Sequence, residues 1–165
     1  MEKFWIMTSW MRIQLTKGFS CIVDANQYAW LSQWKWTYSN GYAIRMVRID
    51  GKDTIFRMHR VIVGASNLWF VDHIDMNTLN NRVGNLRLAT KAQNSYNRLP
   101  PKTNKSGIKG VSFERYTQKW KAQITINGKN INLGRFEVPE EAAKVYDAAA
   151  TKYHGKFARL NNAEV

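Results

Sequence analysis

The 165-residue sequence holds one cysteine, three prolines and three histidines, and no apolar run nears the roughly 18 residues that span a bilayer. The lone Cys21 excludes a disulfide framework, and with so few histidines it also excludes ordinary cysteine-rich structural zinc. The opening stretch 1–7 lacks a long apolar region and a cleavage site, so no signal peptide is expected. The expected location is therefore cytoplasmic, with no membrane partner. Acidic residues are scarce: 12 Asp plus Glu stand against 25 Lys plus Arg, a net charge of +13. The length excludes a large enzyme barrel and fits one or two small domains. What is abundant is hydrophobic residue, 44%, and aromatic residue, 13% with seven Trp. That is a folding composition, not a disordered basic tail. The one-sided charge points to a polyanionic partner, with improved solubility as the bland alternative.

The charge is spread along the chain, with an excess of +5 in 1–60, +4 in 61–105 and +4 in 106–165. That distribution suits a protein lying along its partner through several modules. Leu99-Pro100-Pro101-Lys102-Thr103-Asn104-Lys105-Ser106-Gly107 reads as an exposed, extended linker. Upstream, the β-prone runs 42–49 and 54–58 flank Asp50-Gly51-Lys52-Asp53, a hairpin signal. Trp30, Leu31, Trp34 and Trp36 are read as packing residues of this β-rich region. Downstream, 108–160 reads as three strands and a helix. Ala122, Ile124 and Ile126 alternate on one face, Asn127-Gly128 makes the turn, and Asn130-Ile131-Asn132-Leu133 resumes the alternation. Pro139 suits the first helical position, Ala142, Val145, Tyr146, Ala149 and Tyr153 fall at helical spacing, and Gly155 stops the helix. His154, in its last turn, is read as favouring the helix dipole.

The segment between them differs from both. Phe70-Val71-Asp72-His73 is a short strand ending in an Asp-His pair, and an Asn-rich loop follows. A second short strand then runs into a helix, which Thr90 is placed to cap and which bears Asn94 and Asn97. Phosphodiester hydrolysis needs a base for water, which a histidine fixed by a neighbour provides. It also needs a hard cation on the phosphate and leaving oxygen, and such a cation takes carboxylate and amide oxygens. Asp72, His73, Asn85 and Asn94 carry those groups. Asp75 is read as a turn-capping carboxylate, and Asn80, Asn81 and Asn97 as structural, bonding the backbone.

Asp72-His73, Asn80-Asn81-Arg82, Asn85-Leu86-Arg87, Gln93-Asn94 and Asn97-Arg98 together resemble the HNH endonuclease family, in its homing-type branch. The resemblance implies a ββα-metal core with His73 as general base and Asp72 and Asn94 on a divalent metal, Mg²⁺ or alternatively Mn²⁺. It implies that Asn85 holds the loop and orients His73. Met58-His59-Arg60 resembles a His-Arg pair that often precedes this core, with phosphate contact or packing as its role. Arg82, Arg87 and Arg98 either grip phosphates flanking the cut or are solvated charge. Lys102 and Lys105 of the linker stand in the same position.

Gly107-Ile108-Lys109-Gly110-Val111-Ser112-Phe113, Lys119-Trp120-Lys121-Ala122, Leu133-Gly134-Arg135-Phe136 and Tyr146-Asp147-Ala148-Ala149 resemble the AP2 DNA-binding domain. The resemblance implies a three-stranded antiparallel sheet backed by a helix, with its open face in the major groove. Arg115, Lys121, Gln123, Thr125, Asn130 and Asn132 are the DNA-binding candidates, Lys and Arg for phosphates and Gln and Asn for adenine. The expected fold class is α+β: a β-rich region 1–63 packing on the nuclease core, an HNH core 64–99, a linker 100–106 and an AP2-like domain 107–162. The expected function is a site-specific, metal-dependent endonuclease on double-stranded DNA, phage- or mobile-element-encoded and a monomer or weak dimer. The alternative is a non-catalytic phage regulator that binds DNA through the AP2-like domain.

Overall fold

A computed structural model of the chain describes residues 9–161, so the opening stretch 1–7 and residue 162 lie outside it. The fold is α+β, and the chain divides into two compact units, 1–89 and 90–165. The division falls between a strand and the helix that Thr90 caps.

In the first unit, β1 (Trp10–Gln14) and β2 (Ser20–Asp24) form an antiparallel hairpin, followed by α1 (Ala25–Leu31). A three-stranded antiparallel sheet follows, β3 (Thr37–Ser39), β4 (Tyr42–Ile49) and β5 (Lys52–Arg57). Its β4–β5 turn puts Asp50 and Gly51 at φ 48° and 75°, the left-handed region that a tight two-residue hairpin turn demands. The short helix α2 (Met58–Ile62) leads to β6 (Phe70–His73), which pairs antiparallel with β7 (Leu86–Ala89).

The core gathers Ile13, Leu15, Cys21, Val23, Leu31, Trp36, Ala43 and Met58. Leu31 and Met58 are fully enclosed, each contributing about 2 kcal/mol by apolar burial. Trp36 anchors there through its indole N–H, which donates to Leu31 O at 2.8 Å. Trp30, expected among the packing residues, instead stays 40% exposed, with Trp34 edge-on at 5.7 Å. It lies one residue before the inward Leu31, so the helix turns it toward water.

In the second unit, α3 (Lys91–Tyr96) opens on a capping box: Thr90 Oγ1 accepts from Gln93 N, and Gln93 Oε1 accepts from Thr90 N. β8 (Val111–Glu114), β9 (Lys119–Ile126) and β10 (Lys129–Phe136) form an antiparallel sheet in the order β10-β9-β8, backed by α4 (Pro139–His154). Val111, Ala122 and Ile124 meet Ala142, Tyr146 and Ala150 of α4, and the alanines allow close approach. Gly110 is required there. It sits at φ 74°, where a Cβ would overlap the Tyr146 ring and meet Gln123 O at 2.8 Å.

Two readings are corrected in this unit. The segment after Pro101 is not extended: Asn104 N donates to Pro101 O, and Asn104 and Ser106 side chains bond Ile108 O and Val111 O, folding it into turns against β8. Asn and Ser compete for backbone groups and build such turns locally. His154 is buried, stacked on Tyr96 at 3.6 Å, with Nε2 2.9 Å from Thr125 O. Burial lowers its pKa, so it acts by packing and a hydrogen bond, not by charge on the dipole.

Candidate active site and nucleic-acid interface

Antiparallel pairing of β6 with β7 sets Asp72 directly opposite Arg87 and His73 opposite Leu86. Asp72 is buried, and its Oδ2 accepts from Arg87 Nε at 2.8 Å and Nη2 at 2.6 Å. Arg87 is thus engaged by the carboxylate next to the histidine. His73 is buried as well, and its Nε2 lies 3.4 Å from Asn81 Oδ1. Burial lowers the His73 pKa, opposed in smaller measure by the Asn81 bond and by the carboxylates of Asp75 and Asp72. The imidazole is therefore neutral at neutral pH, the state a proton acceptor needs.

The loop 74–85 is tied by side chains to its own backbone. Asn85 Nδ2 donates to Asp75 Oδ1 and to Asn80 O, both at 2.8 Å, while Asn85 Oδ1 accepts from Asp75 N. Asp75 also accepts from Asn77 N and from Asn80 Nδ2, so it is the loop's hub. Asn85 O accepts from Ile74 N at 2.9 Å, which fixes the residue next to His73. The loop is also stitched to β2: Ile22 N donates to Leu79 O, and Asn81 N donates to Ile22 O. Arg82 reaches Asp24 at 3.0 Å and Ser9 at 3.3 Å, and Val83 N donates to the other Asp24 oxygen.

The structure thus brings Asp72, His73, Asn85, Arg82 and Arg87 into one unit. Arg82 and Arg87 are held there by carboxylates. Asn94 lies half-buried on α3, in the second unit. Sequence reasoning missed the role of Asn81 and missed Tyr42, and it left His59 between phosphate contact and packing. Asn81, read as bonding backbone, is only 1% exposed and is the side chain at His73 Nε2. His59 on α2 is buried, its ring 5.1 Å from His73, and Tyr42 lies 5.2 Å from His59 and 6.3 Å from His73. Burial, with the nearby His73, Arg57 and Arg60, pushes His59 down to about 3. The Met58-His59 signal was visible, but nothing local told which side of a short helix would face His73.

In the second unit the strand register lays out the open face of the sheet. Ser112, Lys121 and Arg135 form one cross-strand row, Gln123 and Asn132 the next, Thr125 and Asn130 the third. Thr125 Oγ1 donates to Asn130 Oδ1 at 2.6 Å. Arg135 is drawn to Glu114 and, with Thr117, holds that carboxyl down to about 2. Arg115, Lys102, Lys105 and Arg98 are exposed. A groove of about 550 Å³ at the sheet edge is lined in part by Lys105, Arg115, Phe113, Trp120 and Gln123. Lys109, given no role of its own within the AP2 pattern, donates from Nζ to Tyr96 O and to Arg98 O, closing the C-terminal end of α3. Burial lowers it to about 8.

A buried Asp-His pair ends one strand of a ββ hairpin, over a pinned Asn-rich loop, which is the arrangement that the HNH resemblance implies. The HNH endonuclease model matches residues 57–96 and the AP2 domain model 106–156. An uncharacterized HNH endonuclease of Acanthamoeba polyphaga mimivirus is 32% identical over 149 residues, 88% of this chain and 76% of that protein. Protein 3.8 of Escherichia phage T7 is 40% identical over 92 residues, 56% of this chain and 75% of that protein. The AP2-like ethylene-responsive transcription factor TOE2 of Arabidopsis thaliana is 39% identical over 61 residues, 37% of this chain but 13% of that protein. No solved structure matches. The chain belongs to the HNH endonuclease family, carries an AP2 domain, and is a nuclease whose two domain types indicate DNA binding. HNH nucleases generally use a divalent metal. Among the described residues, no helix is long and apolar enough to cross a membrane.

Proposed function

We propose that the chain is a site-specific, metal-dependent DNA endonuclease of the homing type, guided to its site by the AP2 sheet. The observation that carries this reading is the buried, neutral His73, bonded to Asn81 and adjacent to the Asp72 carboxylate. Phage and giant-virus relatives support an element-borne enzyme that works in the host cell. Its proposed place there is the cytoplasm, and its proposed state is a monomer or weak dimer.

The donors suit a hard cation. Among the described residues no three His, Cys, Asp or Glu side chains converge. Mg²⁺ is commonly held by one or two carboxylates and completed by substrate phosphates, so one carboxylate suffices. Asp72 and the amide oxygen of Asn94 would hold it, Mg²⁺ in preference to Mn²⁺. When bound, the ion would neutralise the pentacoordinate phosphate and stabilise the departing 3′ oxygen. The protein's own part is proton movement and orientation. His73 accepts a proton from the attacking water, the new P–O bond forms as the P–O3′ bond breaks, and solvent protonates the leaving oxygen. Asn81 fixes the imidazole, Asn85 and Asp75 fix the loop that bears Asn81, and Arg87 fixes Asp72. Lys121, Gln123, Thr125, Asn130 and Asn132 face the major groove, while Arg115, Arg98, Lys102 and Lys105 meet phosphates.

The test is nicking of supercoiled plasmid carrying phage DNA, with Mg²⁺ and with EDTA, beside His73→Ala. Metal-dependent nicking that the substitution abolishes is expected. Equal inertness of both proteins across divalent metals and candidate sites, with tight DNA binding retained, would instead establish a non-catalytic regulator.

A further inference from the structure

We propose that the β4–β5 ribbon is a second DNA-reading element, which enters the major groove beside the cut. The proposal rests on the nuclease reading of His73 for where the DNA lies.

β3 pairs only with Tyr42, Ala43 and Ile44, so beyond them β4 and β5 continue as a two-stranded ribbon to the Asp50-Gly51 turn. Its two faces differ. Ala43 is enclosed in the core and Arg45 lies 4.5 Å over the Trp34 ring, so the odd positions of β4 look inward until Ile49, which is exposed beside the turn. The other face carries Tyr42, Ile44, Met46 and Arg48, with Arg57 opposite Ile44 and Ile55 opposite Met46. Met46 is 60% and Ile55 49% exposed, and Arg48 and Arg57 are exposed beside them. A cross-strand apolar pair of this size, open to water and flanked by two arginines, is poorly suited to a merely solvated ribbon.

The same face leads to the candidate active site. Tyr42, at its inner end, has its ring 6.3 Å from His73. From Tyr42 to Arg48 the strand advances about 20 Å at roughly 3.3 Å per residue. That matches about six base-pair steps, taken at roughly 3.4 Å each. A duplex with a phosphate at His73 comes within reach of this face. A two-stranded ribbon fits the major groove, where Met and Ile side chains contact thymine methyl groups and arginines reach phosphates or guanine edges. The charge is complementary, since Asp53 opposite Arg48 is the one carboxylate on the face. The partner is therefore duplex DNA next to the scissile bond, distinct from the stretch under the AP2 sheet.

The full-length protein is given short randomised duplexes with Mg²⁺, and the bases it selects are mapped relative to the nick. Met46→Ser/Ile55→Ser and Arg48→Ala/Arg57→Ala proteins are treated alike, with circular dichroism melts to verify folding. The wild type is expected to select one block of bases within about six pairs of the nick and another further away. The apolar double variant loses the near block and keeps the far one, and the arginine variant lowers the salt slope of binding by about 2. Unchanged near-block selection together with an unchanged slope overturns the proposal. If the wild type nicks nothing, the slope on the same duplexes decides alone, so failure of the nuclease reading is seen separately. A wild-type dimer in sedimentation that Met46→Ser/Ile55→Ser dissolves also overturns it, in favour of a second copy on this face.

Discussion

The two candidate sites, one in each unit, handle polar residues in opposite ways. In the first, Asp72, His73 and Asn81 are buried and each is paired, so the groups nearest the chemistry are held before any substrate arrives. In the second, Thr125, Asn130 and Asn132 stand in water on an open sheet. A reacting group gains by being oriented in advance, because reorganisation at the moment of reaction raises the barrier. A reading face must instead exchange water for base edges, and its residues stay solvated until DNA replaces that water. Under the proposed function, the contrast separates residues that would set the rate from residues that would set the address.

The largest effect that would break the contrast is at His73. His73→Ala should lower single-turnover nicking about 10²–10⁴-fold, the usual share of a general base, with DNA affinity unchanged. Loss of affinity in step with rate would show that the buried pair also binds. Asp72→Ala and Asn94→Ala should weaken Mg²⁺ binding more than DNA binding, read by calorimetric titration of the ion and by gel shift. Asn81→Ala should come next, removing a buried bond worth about 1–3 kcal/mol and lowering kcat more than affinity. On the other side, Lys121→Ala should lower the salt slope of binding by about 1, and Gln123→Ala should relax one base position by about 1–3 kcal/mol, both without changing nicking of bound DNA.

A separate effect falls on stability and pH, and it leaves cleavage and base reading aside. His59 has a folded-state pKa of about 3, below its ordinary 6.5, so between those values the unfolded chain binds the extra proton. Stability therefore falls as pH drops from 6.5 toward 3, by at most about 1.4 kcal/mol per pH unit from this site. Thermal melts across that window should show the loss, and His59→Phe should flatten it.

The hairpins were legible because their turns carry local chemistry: Asp50-Gly51 and Asn127-Gly128 take positive φ at little steric cost. The alternation 122, 124, 126 likewise announced the inner face of β9, and Pro139 and Gly155 the ends of α4. In the site, the roles of Asp75 and Asn85 as loop ties were readable because both act within a dozen residues. Asn81 was not, because loop asparagines look alike until one is stitched to β2 and turned inward. Arg82 and Arg87 show the same limit. As sequence they are cations suited to phosphate, and in the structure Asp24 and Asp72 hold them. His154 was misplaced for the same reason, since Tyr96 and Thr125 lie far from it in the chain.

The sequence by itself determined the element types, the turns, the inner and outer faces of the C-terminal sheet and the set of groups that phosphodiester chemistry requires. These follow from periodicity, backbone preference and functional-group chemistry, all encoded over a few residues. Only the tertiary structure decided which cations are held by carboxylates, which asparagine meets His73, that His59 and Tyr42 stand beside it, and that one face of the β4–β5 ribbon is open. Those outcomes depend on burial and on partners far away in the chain, such as Asp24 for Arg82 and β2 for Asn81, and local sequence carries no record of them.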